Sequence, residues 1–224
     1  MAEQYKGEWS GVTKEDLEAR PPHVVLSPEI IKLSKELTAG ETDPLRKAFK
    51  IWSWIDENIK WAAEIEYSTI TNIVEKVYSC KRGDCGTQAL LFVSLCRASG
   101  VPARWQSGWV TRPREWNMHD WAEFYTPQYG WLPADPSVGR RKSDEPEIRD
   151  YLFGHLDSYR MIANTDCEQP FDPPMKHLRS DPVDNQRGEL EWEGGNLYYD
   201  EWDYDIQVTS EPAESSPIPA AENP

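Results

Sequence analysis

Hydrophobic positions in the first part of the chain recur at the spacing of a helix. One apolar stripe begins after Ser27 and ends before Gly40, and a second begins after Asp43 and continues to about Lys60. In both cases a proline follows the Ser or Asp, which is typical of the first helical position after an N-cap. The pattern therefore predicts two amphipathic helices, and a shorter one is predicted over about residues 72–78.

A third apolar stretch, from about Cys85 to Ser99, is hydrophobic on nearly all sides. A helix of that kind is buried in the centre of a fold, and Gly100 is suited to end it. Beyond this point the hydrophobic period becomes two, which predicts strands. These strands span residues 104–110, 120–125, 130–134 and 159–163.

A late hairpin is predicted near the end of the chain. Leu190 and Trp192 alternate with polar residues before a Gly-Gly-Asn turn, and alternation resumes from Trp202 to Val208. Residues 140–150 form a charged stretch that favours a loop.

The order of elements, helices first and mostly antiparallel strands afterwards, indicates an α+β fold. We expect the domain to span residues 27–209. Residues 1–26 are polar and irregular, and residues 210–224 have four prolines, no aromatic residue and no positive charge, which predicts a disordered tail.

The composition of the chain argues against several classes of protein. Lys and Arg total 24 against 39 Asp and Glu, a net charge of −15, which argues against nonspecific binding to nucleic acid or anionic membrane. No run of about 18 apolar residues is present, so no membrane span is expected, and no signal peptide is visible in this chain. Four cysteines are too few for a disulfide scaffold in 224 residues.

Cys85 is the first candidate for chemistry. It follows Gly83-Asp84, where a loop leads into the predicted buried helix. Free backbone N–H groups and the positive end of the helix dipole favour a thiolate there, and the same N–H groups can hold an oxyanion. Gly86 would let a substrate approach closely. Taken alone, the position fits a small buried residue at a helix start as well as a nucleophile.

His119 and Asp135 supply the groups that a nucleophilic cysteine needs. His119 opens the predicted strand 119–125, and an imidazole can take the thiol proton and return it to the leaving amine. Asp135 ends the neighbouring predicted strand, where a carboxylate can fix the imidazole's tautomer and orientation. Each residue alone also has an ordinary structural interpretation, a strand histidine and a turn residue before Pro136.

Three segments together resemble the core of the transglutaminase-like superfamily. They are residues 83–105 around Cys85, residues 119–125 that begin His-Asp-Trp-Ala-Glu, and residues 129–137 that contain Trp-Leu-Pro-Ala-Asp-Pro. The resemblance covers roughly residues 45–140 and places the family's Cys, His and Asp at Cys85, His119 and Asp135. It implies a papain-like arrangement in which a central helix presents the cysteine to an antiparallel sheet.

The resemblance implies an enzyme but leaves the reaction open. Hydrolysis of peptide or protein amides is the favoured interpretation; transamidation of glutamine and a catalytically silent binding module are the alternatives. A protein or peptide partner is implied, with cell-wall peptides and glycopeptides among the candidates. The resemblance to bacterial members also implies an extracytoplasmic location. No cofactor and no metal is expected, because the chain has neither paired Cys-x-x-Cys zinc motifs nor an EF-hand-type loop.

Several other residues are secondary candidates. Trp61 and Gln88 are of the right type to donate to an oxyanion, and four tryptophans near the motifs are either groove walls or packing residues. These four are Trp105, Trp109, Trp116 and Trp121. Two basic spots, Arg112-Pro-Arg114 and Lys81-Arg82, either hold an acidic substrate group or offset nearby carboxylates.

Overall fold

The computed structural model describes residues 9–64, 67–112, 115–167, 169–178, 186, 188–198, 200–207 and 209. Its helices begin where the sequence predicts. They are α1 (Pro28–Leu37), α2 (Pro44–Asn58), α3 (Ile73–Cys80), α4 (Cys85–Ala98) and the single turn α5 (Pro146–Arg149). Ser27 Oγ accepts the N–H of Ile30 and Asp43 Oδ1 accepts that of Leu45, so both predicted N-caps are confirmed.

The strands are β1 (Lys60–Trp61), β2 (Arg82–Gly83), β3 (Ala103–Arg112), β4 (Glu115–Thr126), β5 (Gly130–Ala134), β6 (Arg160–Thr165), β7 (Leu190–Trp192) and β8 (Gly195–Leu197). β3 to β6 form an antiparallel sheet in the order β5-β4-β3-β6. β3 and β4 pair along their whole length, and Gly108 lies opposite His119. The two-residue strands β1 and β2 pair in parallel, with Trp61 opposite Gly83.

Helix α4 lies at the centre of the molecule. It contacts α1, α2 and α3 on one side and β3 and β4 on the other, and every residue from Gly86 to Ala98 is buried. Phe92 of α4 meets Phe124 of β4 edge to face, with ring centroids 6.1 Å apart. Because neighbours surround it, the helix has no polar face, which is the pattern its sequence shows. The α+β prediction with a central helix on an antiparallel sheet is confirmed.

Three local predictions need correction. β4 begins at Glu115, so His119 lies inside the strand instead of opening it, because pairing with β3 extends the ladder beyond the alternating segment. The late hairpin closes within β7 and β8, and residues 200–207 form no strand. The charged stretch 140–150 contains the helical turn α5.

Part of the N-terminal segment packs against the predicted domain. The Trp131 indole donates to the carbonyl of Gly11, and the buried Arg97 guanidinium donates to the carbonyls of Glu15 and Glu18. Residues 9–26 are therefore attached to the fold, although they contain only one short 3-10 turn, at Lys14–Asp16. The predicted tail, 210–224, lies outside the described residues. Where the chain is described, no helix is both long and apolar enough to cross a membrane.

Candidate active site

Cys85 is the first residue of α4, as predicted. Asp84 caps the helix: its Oδ1 accepts the backbone N–H of Thr87 at 3.0 Å and the hydroxyl of Tyr67 at 2.7 Å. The Cys85 side chain is partly exposed. Its backbone N–H belongs to the first turn, where a helix has no internal acceptors. The cysteine therefore stands at the positive end of the buried helix, beside free N–H donors.

His119 and Asp135 are in direct contact. His119 Nε2 lies 2.7 Å from Asp135 Oδ2, across the β4–β5 edge of the sheet. The imidazole keeps 11% of its surface exposed, whereas the carboxylate is fully buried. The Trp121 ring packs beside the imidazole of His119, with the two ring centroids 6.1 Å apart. Bonding through Nε2 leaves Nδ1 as the ring nitrogen available for proton exchange.

The Asp135 carboxylate accepts hydrogen bonds from every side. Besides His119, Oδ2 accepts Arg160 Nη2 at 2.8 Å, and Oδ1 accepts the backbone N–H groups of Ser137 and Val138 and the Ser137 hydroxyl. Burial by itself would raise the pKa of Asp135, but His119, Arg160 and these N–H groups outweigh it and lower the pKa well below its ordinary value. The group is therefore a permanent anion at neutral pH, able to hold an imidazolium.

Asp120 is a site residue that the sequence analysis did not single out. Its Oδ2 accepts the Cys85 thiol at 3.4 Å. Oδ1 accepts Gln186 Nε2 at 2.6 Å, and the same amide group reaches the His119 carbonyl at 2.9 Å. Cys85 therefore packs against β4 at Asp120, the residue next to His119, and its sulfur contacts the buried Asp120 carboxylate.

These surroundings reverse the predicted acidity of the thiol. Burial, and then the carboxylates of Asp120 and Asp84, raise the pKa of Cys85 well above its ordinary value. The expected thiolate at the helix N-terminus is therefore not the resting form. The helix dipole favours the thiolate, but the carboxylates of Asp120 and Asp84 disfavour it. Asp84 directly precedes Cys85 in the sequence, whereas the contact with Asp120 depends on how β4 packs on the start of α4.

Gly86 packs against protein rather than leaving space for substrate. A Cβ at this position would lie 2.5 Å from the Tyr67 hydroxyl, 2.8 Å from Asp120 Oδ2 and 3.0 Å from the Trp105 ring. The glycine therefore permits the close approach of β4 to the start of α4. The predicted role in substrate access is not supported by this packing.

Substituting Gly86 with Ala tests that packing. We expect the variant to lose about 1–3 kcal/mol in its free energy of unfolding, because three buried groups must shift to admit one methyl. Urea denaturation measures this loss. Gly40→Ala is a poor control because Gly40 has a positive φ; Lys35→Ala, at an exposed position of α1, is the comparison variant. An unchanged midpoint in Gly86→Ala would contradict the packing argument.

A cleft of about 330 Å³ opens beside His119. Its walls come from the ends of β1, β3, β4 and β6 and the turn after β5. The lining residues are Trp61, Val110, Arg112, Trp116, Asn117, His119, Ser137, Val138 and Arg160.

Some of the candidate tryptophans and oxyanion donors line the cleft, and the others are buried in the fold. Trp61 and Trp116 are exposed and line the cleft, with 62% and 39% of their surfaces accessible, whereas Trp105, Trp109 and Trp121 are buried packing residues. The Gln88 amide donates to the Gly83 carbonyl at 2.8 Å and is buried, so it is engaged within the fold. Of the two oxyanion candidates, Trp61 alone faces the cleft.

None of the four cysteines is among the described residues that line this cleft. None of them forms a disulfide bond in the described part of the chain. Cys96, in the buried helix α4, and Cys167 are both buried. Cys80 ends α3 and is exposed.

One known protein family has a model that matches part of this chain. The model of the Transglutaminase-like superfamily matches residues 31–136, a range that includes the first two motif segments and all but the last residue of the third.

Among curated proteins, a Haemophilus influenzae protein of no assigned function is 26% identical over 174 residues, covering 61% of this chain and 46% of that protein. The chicken peptide-N(4)-(N-acetyl-beta-glucosaminyl)asparagine amidase is 33% identical over 96 residues, covering 42% of this chain and 13% of the amidase. The chain therefore matches less than half the length of either relative.

Among solved structures, a candidate cysteine protease from Cytophaga hutchinsonii aligns with a TM-score of 0.50 and 21% identity, covering 58% of this chain and 44% of that one. At this identity the likeness concerns the fold.

Proposed function

We propose, from the match of residues 31–136 to the model of the Transglutaminase-like superfamily, that this chain is a cysteine-dependent enzyme that hydrolyses amide bonds of peptides or proteins. Cys85 is the nucleophile, His119 the general base and acid, and Asp135 the group that orients His119. The observation that carries the proposal is the contact between His119 and the buried Asp135, whose Nε2 and Oδ2 atoms lie 2.7 Å apart. The next residue of β4, Asp120, has the carboxylate that accepts the Cys85 thiol.

The raised pKa of Cys85 shapes the first step. Because the resting sulfur is a thiol, its proton must leave as the bond to the substrate forms. Cys85 Sγ attacks the amide carbonyl carbon while His119 takes the thiol proton, and the resulting imidazolium is held by the Asp135 carboxylate. The carbonyl π electrons move to oxygen and give a tetrahedral oxyanion.

The second step releases the amine and leaves an acyl-enzyme. The oxyanion electrons re-form the carbonyl, the C–N bond breaks, and His119 returns its proton to the departing nitrogen. A water molecule then gives a proton to His119 and attacks the Cys85 thioester carbonyl. The S–C bond breaks, the sulfur recovers the proton, and a carboxylic acid leaves.

Two groups are placed to stabilise the oxyanion. The backbone N–H of Cys85 lies at the start of α4, where helical geometry gives it no internal acceptor. The indole of Trp61 can supply a second donor: Trp61 pairs with Gly83 two residues before the nucleophile and lines the cleft. Each donor of this kind is worth about 10²–10³-fold in kcat.

A peptide panel tests the reaction class. Glutamine-containing peptides and an N-glycosylated peptide are incubated with the protein, with and without a primary amine, and products are identified by mass spectrometry. Hydrolysis adds water across an amide bond, and the proposal predicts this product with wild type but not with Cys85→Ala. A product that carries the added amine would instead identify a transamidase. Absence of any turnover, together with binding of the peptides, would identify a silent module.

A further inference from the structure

The cleft beside His119 is positively charged, although the chain as a whole carries a net charge of −15. Arg112 and Arg160 line it, and none of its described lining residues is Asp or Glu. Arg112 comes from the end of β3 and has half of its side chain exposed at the mouth. Arg160 comes from the start of β6 and is 3% exposed, at the base.

The charge of Arg160 is only partly used by the fold. Its Nη2 donates to Asp135 at 2.8 Å, but its Nε and Nη1 are buried and have no hydrogen-bond acceptor in the described part of the chain. A buried guanidinium N–H without an acceptor is costly, and such groups are rare in folded proteins. Because these two N–H groups are buried, Arg160 acts on a ligand through its positive charge at the base of the cleft and not through a direct hydrogen bond from them.

Arginines outnumber carboxylates around Asp157, the second carboxylate near this cleft after Asp135. The Asp157 carboxylate has three guanidinium groups around it, at 3.8 Å from Arg112, 3.6 Å from Arg141 and 4.0 Å from Arg160. Together with Asp135, the region sets three arginines against two carboxylates. The Arg112–Asp157 pair is long and partly exposed, so Arg112 can turn to a ligand at little cost.

We propose that this cleft binds a carboxylate group of the peptide substrate, with Arg112 as the contacting residue and Arg160 as the buried charge behind it. Trp61 and Trp116, both exposed on the cleft walls, pack against the apolar part of the same substrate, since exposed tryptophans with arginine are typical of binding surfaces. The inference rests on the proposed function and specifies its substrate class as acidic. An arginine fork matches a carboxylate in two-point geometry.

The carboxylate can belong to an acidic side chain or to a free peptide C-terminus, and two sets of probes distinguish them. Peptidyl chloromethyl ketones that differ only by Glu or Gln at one position test the side chain, through the rate of Cys85 modification read by mass spectrometry. Acetyl-triglycine and its amide, as competitors of iodoacetamide, test the terminal carboxylate.

We expect a Glu-over-Gln rate preference, or a selective protection by the free acid, of roughly three- to tenfold at low ionic strength. The preference should fall as salt is added. Arg112→Gln should bring the ratio to about one. Asp157→Asn should raise it, because this change removes the carboxylate that shares Arg112. Arg46→Gln, which removes an equal charge from an exposed site on α2 outside the cleft, should leave the ratio unchanged.

The outcomes separate the two proposals. If Cys85 reacts with all probes at equal rates and neither competitor protects it selectively, the anionic subsite is wrong while the nucleophile remains supported. A preference that persists in Arg112→Gln would likewise overturn the subsite. If no probe modifies Cys85, the proposed function itself fails.

Discussion

Asp135→Asn is expected to lower the rate of Cys85 acylation by about 10³–10⁴-fold and the free energy of unfolding by about 3–5 kcal/mol. The carboxylate is fully buried and accepts from His119, Arg160 and the turn after β5. An asparagine keeps the shape but presents an N–H₂ group to donors and leaves Arg160 as a buried charge without its anion. His119 then loses both its orientation and the partner of its imidazolium form.

Two measurements follow this variant. A burst of p-nitrophenol from p-nitrophenyl acetate reports acylation of the cysteine, and urea denaturation reports stability. Asp150→Asn is the matched control: its carboxylate pairs with Arg140 and Arg149 near the surface, where such pairs contribute about 0–1 kcal/mol. Wild-type acylation and stability in Asp135→Asn would contradict the role assigned to this carboxylate.

The pH dependence of stability gives an independent check on the same group. The pKa of Asp135 is lower in the folded protein than its ordinary value of 3.8. The unfolded chain therefore binds a proton before the folded one as pH falls. The stability that Asp135 contributes is complete above about pH 5 and is lost progressively as pH falls below 3.8. Asp135→Asn should remove this part of the acid dependence.

Asp120→Asn is expected to increase the reactivity of Cys85 at pH 7 about tenfold. Burial raises the pKa of this thiol, and the Asp120 carboxylate at 3.4 Å raises it further. Removing the charge should lower the pKa of the thiol, since a carboxylate in contact with the sulfur disfavours the thiolate. The asparagine oxygen can still accept from Gln186, so the packing is retained.

The measurement is the rate of carboxamidomethylation of Cys85 by iodoacetamide across pH. In wild type the rate should rise with pH beyond the range of an ordinary thiol, and in Asp120→Asn the whole profile should move to lower pH. Glu123→Gln removes another carboxylate of β4, one that pairs with Arg104 of β3. This control variant should leave the pH dependence of the rate unchanged. An unshifted profile in Asp120→Asn would show that this carboxylate does not govern the thiol.

Much of the site could be predicted because its residues lie at ends of elements that the hydrophobic pattern locates. Cys85 follows a helix cap, and Asp135 lies between the end of β5 and Pro136. Both positions depend on local sequence alone. The pairing of His119 with Asp135 followed from the expectation that their strands are neighbours, which the register of β4 and β5 bears out for the sheet.

The electrostatics could not be predicted, because they depend on contacts between distant segments. Asp120 faces Cys85 only because β4 packs on the start of α4, and Gln186 reaches it from 66 residues further along the chain. Arg160 reaches Asp135 because β6 pairs with β3 at the far edge of the sheet. Alternation alone also predicted a strand through Trp202, but a strand also requires backbone pairing with another segment, and the described residues 200–207 form no strand.

The most direct test is the modification of Cys85 by a peptidyl chloromethyl ketone in wild type and in His119→Gln, with all four cysteines quantified by peptide mass spectrometry. We expect the peptidyl reagent at low concentration to modify Cys85 before the other thiols in spite of the raised pKa of Cys85, because the site binds the peptide and His119 takes the thiol proton as the bond forms. His119→Gln should slow this reaction by about 10²-fold or more without unfolding the protein. Equal modification of Cys80 and Cys85 in wild type, or an undiminished rate in folded His119→Gln, would contradict this expectation.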